Sequence, residues 1–257
     1  MAKILMGKEV SKRINDELRD EVAELKKQGI SPGLAVIIVG DDPASRVYVN
    51  NKKKACEYCG IYSEEYTLPE QSSQEDLLDI IETLNNRSDI SGILCQLPLP
   101  KHIDEKAVIN AINPKKDVDA FHPVNVGKIM TGDYDFVPCT PAGVMELIKE
   151  SGIDPCGKEC VVVGRSNIVG KPMAMLLLHQ NGTVTVCHSR TADLKAKTKN
   201  ADILVAAVGI PEFIKGDMIK EGAVVIDVGI NRIEPKKLVG DVDFESAKDI
   251  ASAITPV

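Results

Sequence analysis

The sequence predicts an α/β protein of two domains, in which helices alternate with largely parallel strands. Along the 257 residues, short apolar or β-branched runs alternate with amphipathic segments of helical period. Between residues 117 and 141 this alternation is interrupted by a stretch rich in Asp, Gly and Pro, which is typical of a connection between domains. We therefore expect a first domain over residues 1–119, a connection over residues 120–141 and a second domain over residues 142–257.

The composition is that of a globular protein and excludes several classes of function. The chain is 44% hydrophobic and 27% charged, and its length suffices for two modest domains. The net charge of −7 and the lack of long basic tracts argue against nucleic-acid binding. No apolar run is long enough to span a bilayer, and the apolar patch at the N-terminus is too short for a signal peptide. The seven scattered cysteines suit a reducing cytoplasm, and for the close pair Cys56 and Cys59 packing is favoured over zinc or redox chemistry.

The first half of the chain predicts four helices and two strands. Apolar residues spaced three or four apart from Val10 to Leu25 predict a first helix that ends near Gly29. The apolar run at residues 34–39 predicts a buried strand, which a helix over residues 44–58 follows. Ser72 and Glu75 predict a capping box for the next helix. Residues 90–94 predict a second strand and residues 106–112 a short helix.

The second half predicts a helix over residues 142–150 and then a strand, glycine turn and helix over residues 161–178. Such a turn binds phosphate because free backbone N–H groups and the helix dipole both favour an anion. Gly164 fits the first glycine of a dinucleotide turn, but Ser166 and Val169 occupy the next two glycine positions, and Gly170 follows one residue late. An ordinary tight turn between a strand and a helix is the alternative interpretation.

The next strand, at residues 183–187, favours the dinucleotide interpretation because it follows after one crossover helix. An NAD-preferring site carries an acidic residue about 20 positions beyond the glycine turn. Here Ser189 and Arg190 occupy that region, and Arg165 adds a second cation within the turn. A hydroxyl and a guanidinium bind phosphate, whereas an acid repels it, so these residues favour NADP over NAD. The alternative is that Arg190 is an ordinary solvated surface residue.

Two more strands, at residues 202–208 and 223–228, run directly into Gly209 and Gly229. Ligands of open α/β sheets bind beyond the carboxyl ends of the strands. We therefore expect both loops to face the cofactor.

A second group of polar residues lies in the first half. Ser45, Tyr48 and Lys52 share one face of the helix predicted over residues 44–58, and a phenol beside a lysine supports proton transfer. A solvated face of three consecutive lysines is the alternative. Gln96 ends an apolar strand inside a proline-rich turn, and Asp119 begins the interdomain connection; turn chemistry is the alternative for both.

Seven short motifs occur in order and carry a resemblance to a known family. They are Ser-Arg-Val-Tyr-x-x-x-Lys at 45–52, CQLPLP at 95–100, KDVD at 116–119, PCTP at 138–141, GRSNIVGKP at 164–172, TVCHSRT at 185–191 and VIDVGIN at 225–231. With these motifs the chain resembles, over essentially its whole length, the bifunctional methylenetetrahydrofolate dehydrogenase/methenyltetrahydrofolate cyclohydrolases of one-carbon metabolism. The resemblance implies an N-terminal folate-binding catalytic domain and a C-terminal Rossmann-like NADP-binding domain, with the active site in the cleft between them.

The resemblance also implies two reactions at one site. NADP accepts a hydride from the methylene carbon of 5,10-methylenetetrahydrofolate, and water then attacks the resulting methenyl carbon to give 10-formyltetrahydrofolate. Neither step needs a metal. The implied assembly is a homodimer through the nucleotide domain, and no nucleic-acid or membrane partner is expected.

The residue roles that the resemblance implies fall into three groups. Lys52 transfers the proton, Gln96 holds Lys52 by hydrogen bonding, Tyr48 orients the substrate and Asp119 accepts hydrogen bonds from the pterin. Further substrate-binding residues are Ser45, Leu97 and Pro98. The cofactor-binding residues are Thr140, Gly164, Arg165, Ser166, Ile168, Ser189, Arg190, Gly209 and Ile230.

The chain departs from the family pattern in two places. The family usually has Gly after the KDVD motif, where this chain has Ala120, and we expect the substitution to shift the backbone of Asp119. Family members also continue beyond the position of Val257 with a Pro-Gly-Gly-rich loop and a helix that returns to the first domain.

Four alternatives remain open at this stage. A shikimate-type NADP-linked dehydrogenase explains the nucleotide half but not the CQLPLP motif. A non-catalytic nucleotide sensor predicts the loss of a polar active-site residue, yet Lys52, Gln96 and Asp119 are all present. The others are a family member with dehydrogenase activity alone and one that prefers NAD.

Overall fold

The computed structural model describes residues 2–234 and 237–257. The chain divides into two compact units, one formed by Met1–Val10 with Lys128–Val257 and the other by Ser11–Gly127. In chain order the elements are β1 (Lys3–Ile4), α1 (Gly7–Lys27), β2 (Gly33–Val39), α2 (Pro43–Cys59), β3 (Tyr62–Leu68), α3 (Gln74–Asn86), β4 (Gly92–Cys95), α4 (Glu105–Ala111), α5 (Pro123–Thr131), α6 (Cys139–Ser151), β5 (Glu159–Val163), α7 (Gly170–His179), β6 (Thr183–Cys187), α8 (Leu194–Thr198), β7 (Ile203–Ala206), a 3-10 helix (Gly216–Met218), β8 (Val224–Asp227), β9 (Asn231–Glu234), β10 (Lys237–Val239), α9 (Phe244–Ala247) and β11 (Ala253–Ile254).

The unit Ser11–Gly127 contains a parallel sheet of three strands in the order β3-β2-β4. The central strand β2 is apolar throughout because both of its faces are covered, as in other parallel sheets. Ile37 packs in one buried cluster with Ile81 of α3, and Ile38 packs in another with Val49 of α2. This register fixes where the residues after β4 lie, and the backbone N–H of Gln96 donates to the carbonyl of Ile37 at 2.8 Å.

The other unit contains a six-stranded parallel sheet in the order β1-β11-β8-β7-β5-β6 and a two-stranded ribbon, β10-β9. Val163 at the end of β5 lies opposite both Cys187 of β6 and Ala206 of β7. Ala206 in turn lies opposite Asp227 at the end of β8. The loops that follow these four strands therefore leave the sheet from the same edge.

The local structure differs from the sequence prediction at the start of α3. The predicted capping box of Ser72 and Glu75 is wrong, because Ser73 and Asp76 form it one residue later. The Ser73 hydroxyl accepts the N–H of Asp76 at 3.1 Å, and the Asp76 carboxylate accepts the N–H of Ser73 at 3.0 Å. Both pairs have capping residues at the correct spacing, so only the phase of the helix against the sheet distinguishes them.

Helix α5 and strand β3 are among the elements that have no counterpart in the prediction. Helix α5 lies within the stretch that lacked apolar periodicity, and it is anchored by the buried Asn125, whose amide donates to Asp117 at 2.8 Å. Strand β3 has three glutamate or serine residues among its seven, yet it pairs with β2 along its whole length. Backbone pairing to a buried strand is sufficient to form an edge strand with a polar face.

Candidate active site

The turn after β5 requires glycine at two positions. Gly164 has φ +137°, and a Cβ there would overlap the carbonyl oxygen of Ala207 in the loop after β7. A Cβ on Gly170, the first residue of α7, would overlap the carbonyl of Gly164 itself. Gly170 therefore permits the close packing of helix on strand that the last glycine of a dinucleotide turn provides, one residue later than usual.

The same turn presents hydrogen-bond donors ahead of a helix. The hydroxyl of Ser166 accepts the N–H groups of Val169 at 3.1 Å and Gly170 at 3.3 Å, which holds the turn closed. Within the described part of the chain, the backbone N–H groups of Arg165 and Ile168 have no acceptor. Free N–H groups in a turn ahead of a helix favour an anion, so this turn can accommodate the phosphate of a dinucleotide.

The neighbouring loop after β6 carries the predicted hydroxyl and guanidinium. The two loops are joined where the N–H of Gly164 donates to the carbonyl of Cys187 at 2.9 Å. The ring of His188 accepts the N–H of Arg190 at 3.2 Å, which orders the turn around the exposed Ser189. The side chains of Arg165 and Arg190 are exposed and form no ion pair with any described residue, so both guanidinium groups are available to an anion.

Of the remaining predicted cofactor residues, Ile168 lies in the turn after β5 and the other three lie on other segments. Gly209 follows β7 and Ile230 follows β8, so both lie at the same sheet edge as the turn after β5, called here the phosphate turn (residues 164–169). Ile230 is 63% exposed. Ile168 is exposed within the phosphate turn. Thr140 is exposed on the first turn of α6, and no hydrogen bond of the described residues joins it to these loops.

The predicted catalytic pair is formed in the other unit. Helix α2 begins after Asp42, whose carboxylate accepts the N–H of Ser45 at 2.8 Å. Two turns later the Nζ of the half-buried Lys52 donates to the Oε1 of Gln96 at 2.9 Å. The Nε2 of Gln96 donates to the carbonyl of Leu97 at 2.8 Å, in a turn whose Leu97–Pro98 peptide is cis. Because the Gln96 amide nitrogen is used by the turn, its oxygen is directed to the lysine.

The other two members of the predicted helix face do not join this pair. Ser45 is buried at the start of α2, and Tyr48 is 50% exposed. Among the described residues, neither hydroxyl forms a hydrogen bond with Lys52. The phenol of Tyr48 is thus available to a substrate.

Asp119 lies close to the end of β4. Together with Leu97, Cys95 and Phe121 it lines a small pocket under the turn that follows that strand. Burial, with a smaller contribution from the charge of Asp119, raises the pKa of the Cys95 thiol to about 12. Cys95 is therefore a neutral, unreactive wall of this pocket at physiological pH.

Ala120, where the family usually has glycine, adopts a backbone conformation that glycine favours. Ala120 is buried and has φ +55°, in the left-handed region that glycine favours. Its N–H donates to the carbonyl of Asp117 at 3.1 Å, and Asp117 accepts the N–H of His122 at 2.8 Å. These bonds hold the tight turn around Asp119 despite the alanine.

Two carboxylates, Asp241 and the half-buried Asp227, were not among the predicted site residues. Asp241 is fully buried and accepts hydrogen bonds from the loops after both β7 and β8, and Asp227 accepts the N–H of Asp241 at 2.9 Å. Asp227 lies within the VIDVGIN motif, but nothing in the local sequence pattern indicates that Asp241 contacts residues 31 to 33 positions earlier in the chain.

Over residues 2–234 and 237–257, no group of three or more His, Cys, Asp or Glu is arranged to hold a metal ion. Cys56 and Cys59 are buried free thiols of α2. None of the helices in the described part of the chain is long and apolar enough to cross a membrane.

Comparison with known proteins matches both halves of the chain. Residues 5–119 match the family model of the tetrahydrofolate dehydrogenase/cyclohydrolase catalytic domain, and residues 138–257 match the model of the NAD(P)-binding domain of the same proteins. A relative from Acetivibrio thermocellus, named bifunctional protein FolD, is 72% identical over 256 residues that span 100% of this chain and 90% of the relative. The chain therefore spans most of the length of this relative.

Solved structures agree with these matches. The bifunctional FolD enzyme of Campylobacter jejuni is 50% identical with a TM-score of 0.97, and the match covers 100% of this chain and 92% of that one. The Trypanosoma brucei enzyme, solved with NADP and an inhibitor, is 42% identical with a TM-score of 0.95, over 100% of this chain and 90% of that one. These matches exclude the shikimate-type alternative, and the chain belongs to the tetrahydrofolate dehydrogenase/cyclohydrolase family.

Proposed function

We propose that this chain oxidises 5,10-methylenetetrahydrofolate with NADP and hydrolyses the methenyl product to 10-formyltetrahydrofolate, with Lys52 as the proton-transfer group. The observation that carries the proposal is the hydrogen bond of 2.9 Å between Lys52 and Gln96. It occurs in a chain whose other unit presents a phosphate turn, and whose relatives are bifunctional enzymes of this family.

Gln96 supports this role because it is an acceptor for Lys52 in both protonation states. A neutral amine and an ammonium both keep an N–H for the amide oxygen, so the nitrogen stays in place while a proton moves. As water adds to the cationic methenyl carbon, Lys52 takes a proton from it. Lys52 then returns this proton to the ring nitrogen whose bond to that carbon breaks. The remaining hydroxyl proton of the adduct is released to solvent as the C=O bond forms, which leaves the formyl group on the other nitrogen.

The oxidation makes fewer demands on proton transfer. NADP, when bound, accepts the hydride from the methylene carbon. The residues of the chain have to orient the folate, and positioning alone supplies a large part of such rate enhancements. In this proposal Tyr48 packs on the folate, Asp119 accepts hydrogen bonds from its pterin, and Ser45, Leu97 and Pro98 line the pocket.

The residues proposed to bind NADP include those in the loops at the carboxyl ends of β5, β6, β7 and β8. Gly164 and Ser166 hold the pyrophosphate at the start of α7, and Arg165, Ser189 and Arg190 bind the 2′-phosphate. Within the described residues, the N–H groups of Arg165 and Ile168 have no acceptor and the two guanidinium groups form no ion pair, which supports this assignment. Thr140, Gly209 and Ile230 complete the proposed site.

The remaining proposals concern organisation. The folate domain is the predicted range 1–119 without its first ten residues, because strand β1 pairs with β11 of the other unit. Residues 120–141 form the connection and 142–257 the NADP domain, and the chain forms a homodimer through its NADP domain. The enzyme acts in the cytoplasm, which the seven free cysteines support.

One assay tests both activities. The purified protein is incubated with methylenetetrahydrofolate and either NADP or NAD, while reduced nicotinamide and methenyl absorbance are followed together. Reduction with NADP without methenyl accumulation is the expected result. Methenyl accumulation would contradict the hydrolytic half, and reduction with NAD alone would contradict the cofactor assignment. Lys54→Met, at an exposed lysine of the same helix, is the control for substitutions of Lys52.

A further inference from the structure

The buried carboxylate of Asp241 is saturated with hydrogen bonds. Its Oδ2 accepts the N–H groups of Val208 at 2.6 Å and Gly209 at 2.9 Å. Its Oδ1 accepts the N–H of Ile210 at 3.0 Å and the side-chain amide of Asn231 at 2.9 Å. Two loops therefore meet on one side chain, since residues 208–210 follow β7 and Asn231 follows the turn after β8.

A second carboxylate holds the first one in place. Asp227, at the end of β8, accepts the N–H groups of Gly229 and Asp241 on Oδ1, both at 2.9 Å, and the N–H of Val242 on Oδ2 at 2.8 Å. A Cβ on Gly229 would overlap the Asp241 carboxylate. The loop after β8 is thus packed directly on the group that organises the loop after β7.

We propose that Asp241, acting through Asn231 and the N–H groups of residues 208–210, is a positioning residue that sets the relative placement of Gly209 and Ile230 for hydride transfer. The inference rests on the proposed function, in which these two exposed residues contact the cofactor. The phosphate turn after β5 has its own hydrogen bonds through Ser166, so it does not depend on Asp241.

Only a carboxylate satisfies this arrangement. Each oxygen accepts two N–H groups, so an isosteric amide would direct its own NH₂ at two donors in either orientation. Asn231→Leu is a milder change of nearly the same shape. It removes the hydrogen bond from the Asn231 side chain to Asp241 and leaves Asp241 with its three backbone donors.

The two activities of the enzyme provide the readout. Hydrolysis of added methenyltetrahydrofolate consumes no dinucleotide, so it reports folding and the folate site independently of Asp241. Hydride transfer depends on the placement of the nicotinamide, and a displacement of about 1 Å can cost about 100-fold in rate. A positioning role therefore lowers dehydrogenase kcat while the hydrolysis rate stays unchanged.

The experiment compares the wild-type enzyme with Asn231→Leu, Asp241→Asn and the control Asp202→Asn. Asp202 lies at the opposite end of β7, where it accepts the N–H of Glu159 at 2.9 Å and pairs with Lys220 at 2.6 Å. We expect Asn231→Leu to lower dehydrogenase kcat at saturating NADP by about 10-fold or more, with cyclohydrolase activity unchanged. Asp241→Asn should have a larger effect, and Asp202→Asn should leave both activities at the wild-type level.

Two results would overturn the inference. Either Asn231→Leu retains the wild-type dehydrogenase kcat, or it loses both activities in parallel, which indicates a purely structural role. If Asp241→Asn does not fold, Asn231→Leu decides the question alone. A wild-type enzyme that lacks NADP reduction would instead contradict the proposed function, so the two failures are distinguishable.

Discussion

Replacement of Arg165 and Arg190 with alanine should lower the preference of the enzyme for NADP over NAD. Neither side chain has an ion-pair partner among the described residues, so neither substitution leaves a protein carboxylate without its partner. A hydrogen bond to a charged group contributes about 1.5–3 kcal/mol, and exposure to solvent reduces this to about 1 kcal/mol. Since 1.4 kcal/mol corresponds to about tenfold, each substitution should reduce kcat/KM with NADP by about 5-fold, and the double variant by about 30-fold.

NAD lacks the 2′-phosphate, so kcat/KM with NAD should not change. The assay measures kcat/KM with both cofactors at low and high salt, because the contribution of exposed arginines should diminish as salt screens them. Lys220→Ala removes a cation that is paired with Asp202 at the other edge of the sheet and serves as the control. An unchanged ratio in the double variant would refute the assignment of both arginines. A parallel loss with both cofactors would show that they serve a part of the site common to NAD and NADP.

Four further substitutions or conditions test other parts of the argument. Lys52→Met should abolish cyclohydrolase activity and spare part of the dehydrogenase activity, whereas the control Lys54→Met should retain both. Full cyclohydrolase activity in Lys52→Met would contradict the role of Lys52. Gly164→Ala should lower the free energy of unfolding by about 2–6 kcal/mol, from backbone strain at φ +137° and overlap with a neighbouring carbonyl, as measured by urea unfolding. Ala120→Gly should change that free energy by less than about 1 kcal/mol, because relief of about 1–2 kcal/mol of left-handed strain is offset by lost methyl burial and added chain entropy; a larger change would refute this balance. The free energy of unfolding should fall as the pH drops below 3.8, because the hydrogen bond from Lys220 holds the pKa of Asp202 below that ordinary value and the stabilisation is lost on protonation. Asp202→Asn should make the free energy of unfolding less dependent on pH in this range. An unchanged pH dependence in the variant would contradict the role given to Asp202.

Local patterns were sufficient where the physical cause is local. The apolar run of β2 predicted a buried strand, and the pattern around Gly164 predicted a strand, a glycine turn and a helix, all of which the structure contains. That this turn binds phosphate stays a prediction. The family resemblance was confirmed by the comparisons over both halves of the chain. The roles of individual residues stay predictions until the variants are measured.

Prediction was weaker where two local solutions compete. Ser72 and Ser73 are equally good caps by composition, and the packing of α3 on its sheet selects the second. The polar strand β3 forms because β2 offers it a complete row of backbone partners, and no property of its own sequence requires that pairing. Such elements are stabilised mainly by contacts with residues that are distant in sequence.

By itself, the sequence determined the fold class, the family and the chemical types of the residues at the site, because apolar period, glycine placement and side-chain identity are properties of the chain. Only the tertiary structure decided which groups meet. The link between Lys52 and Gln96 spans 44 positions, and Asp241 collects donors from 31 to 33 positions before it and from Asn231. A hydrogen bond forms within about 3 Å whatever the separation along the chain, so strand register and loop packing determine these contacts.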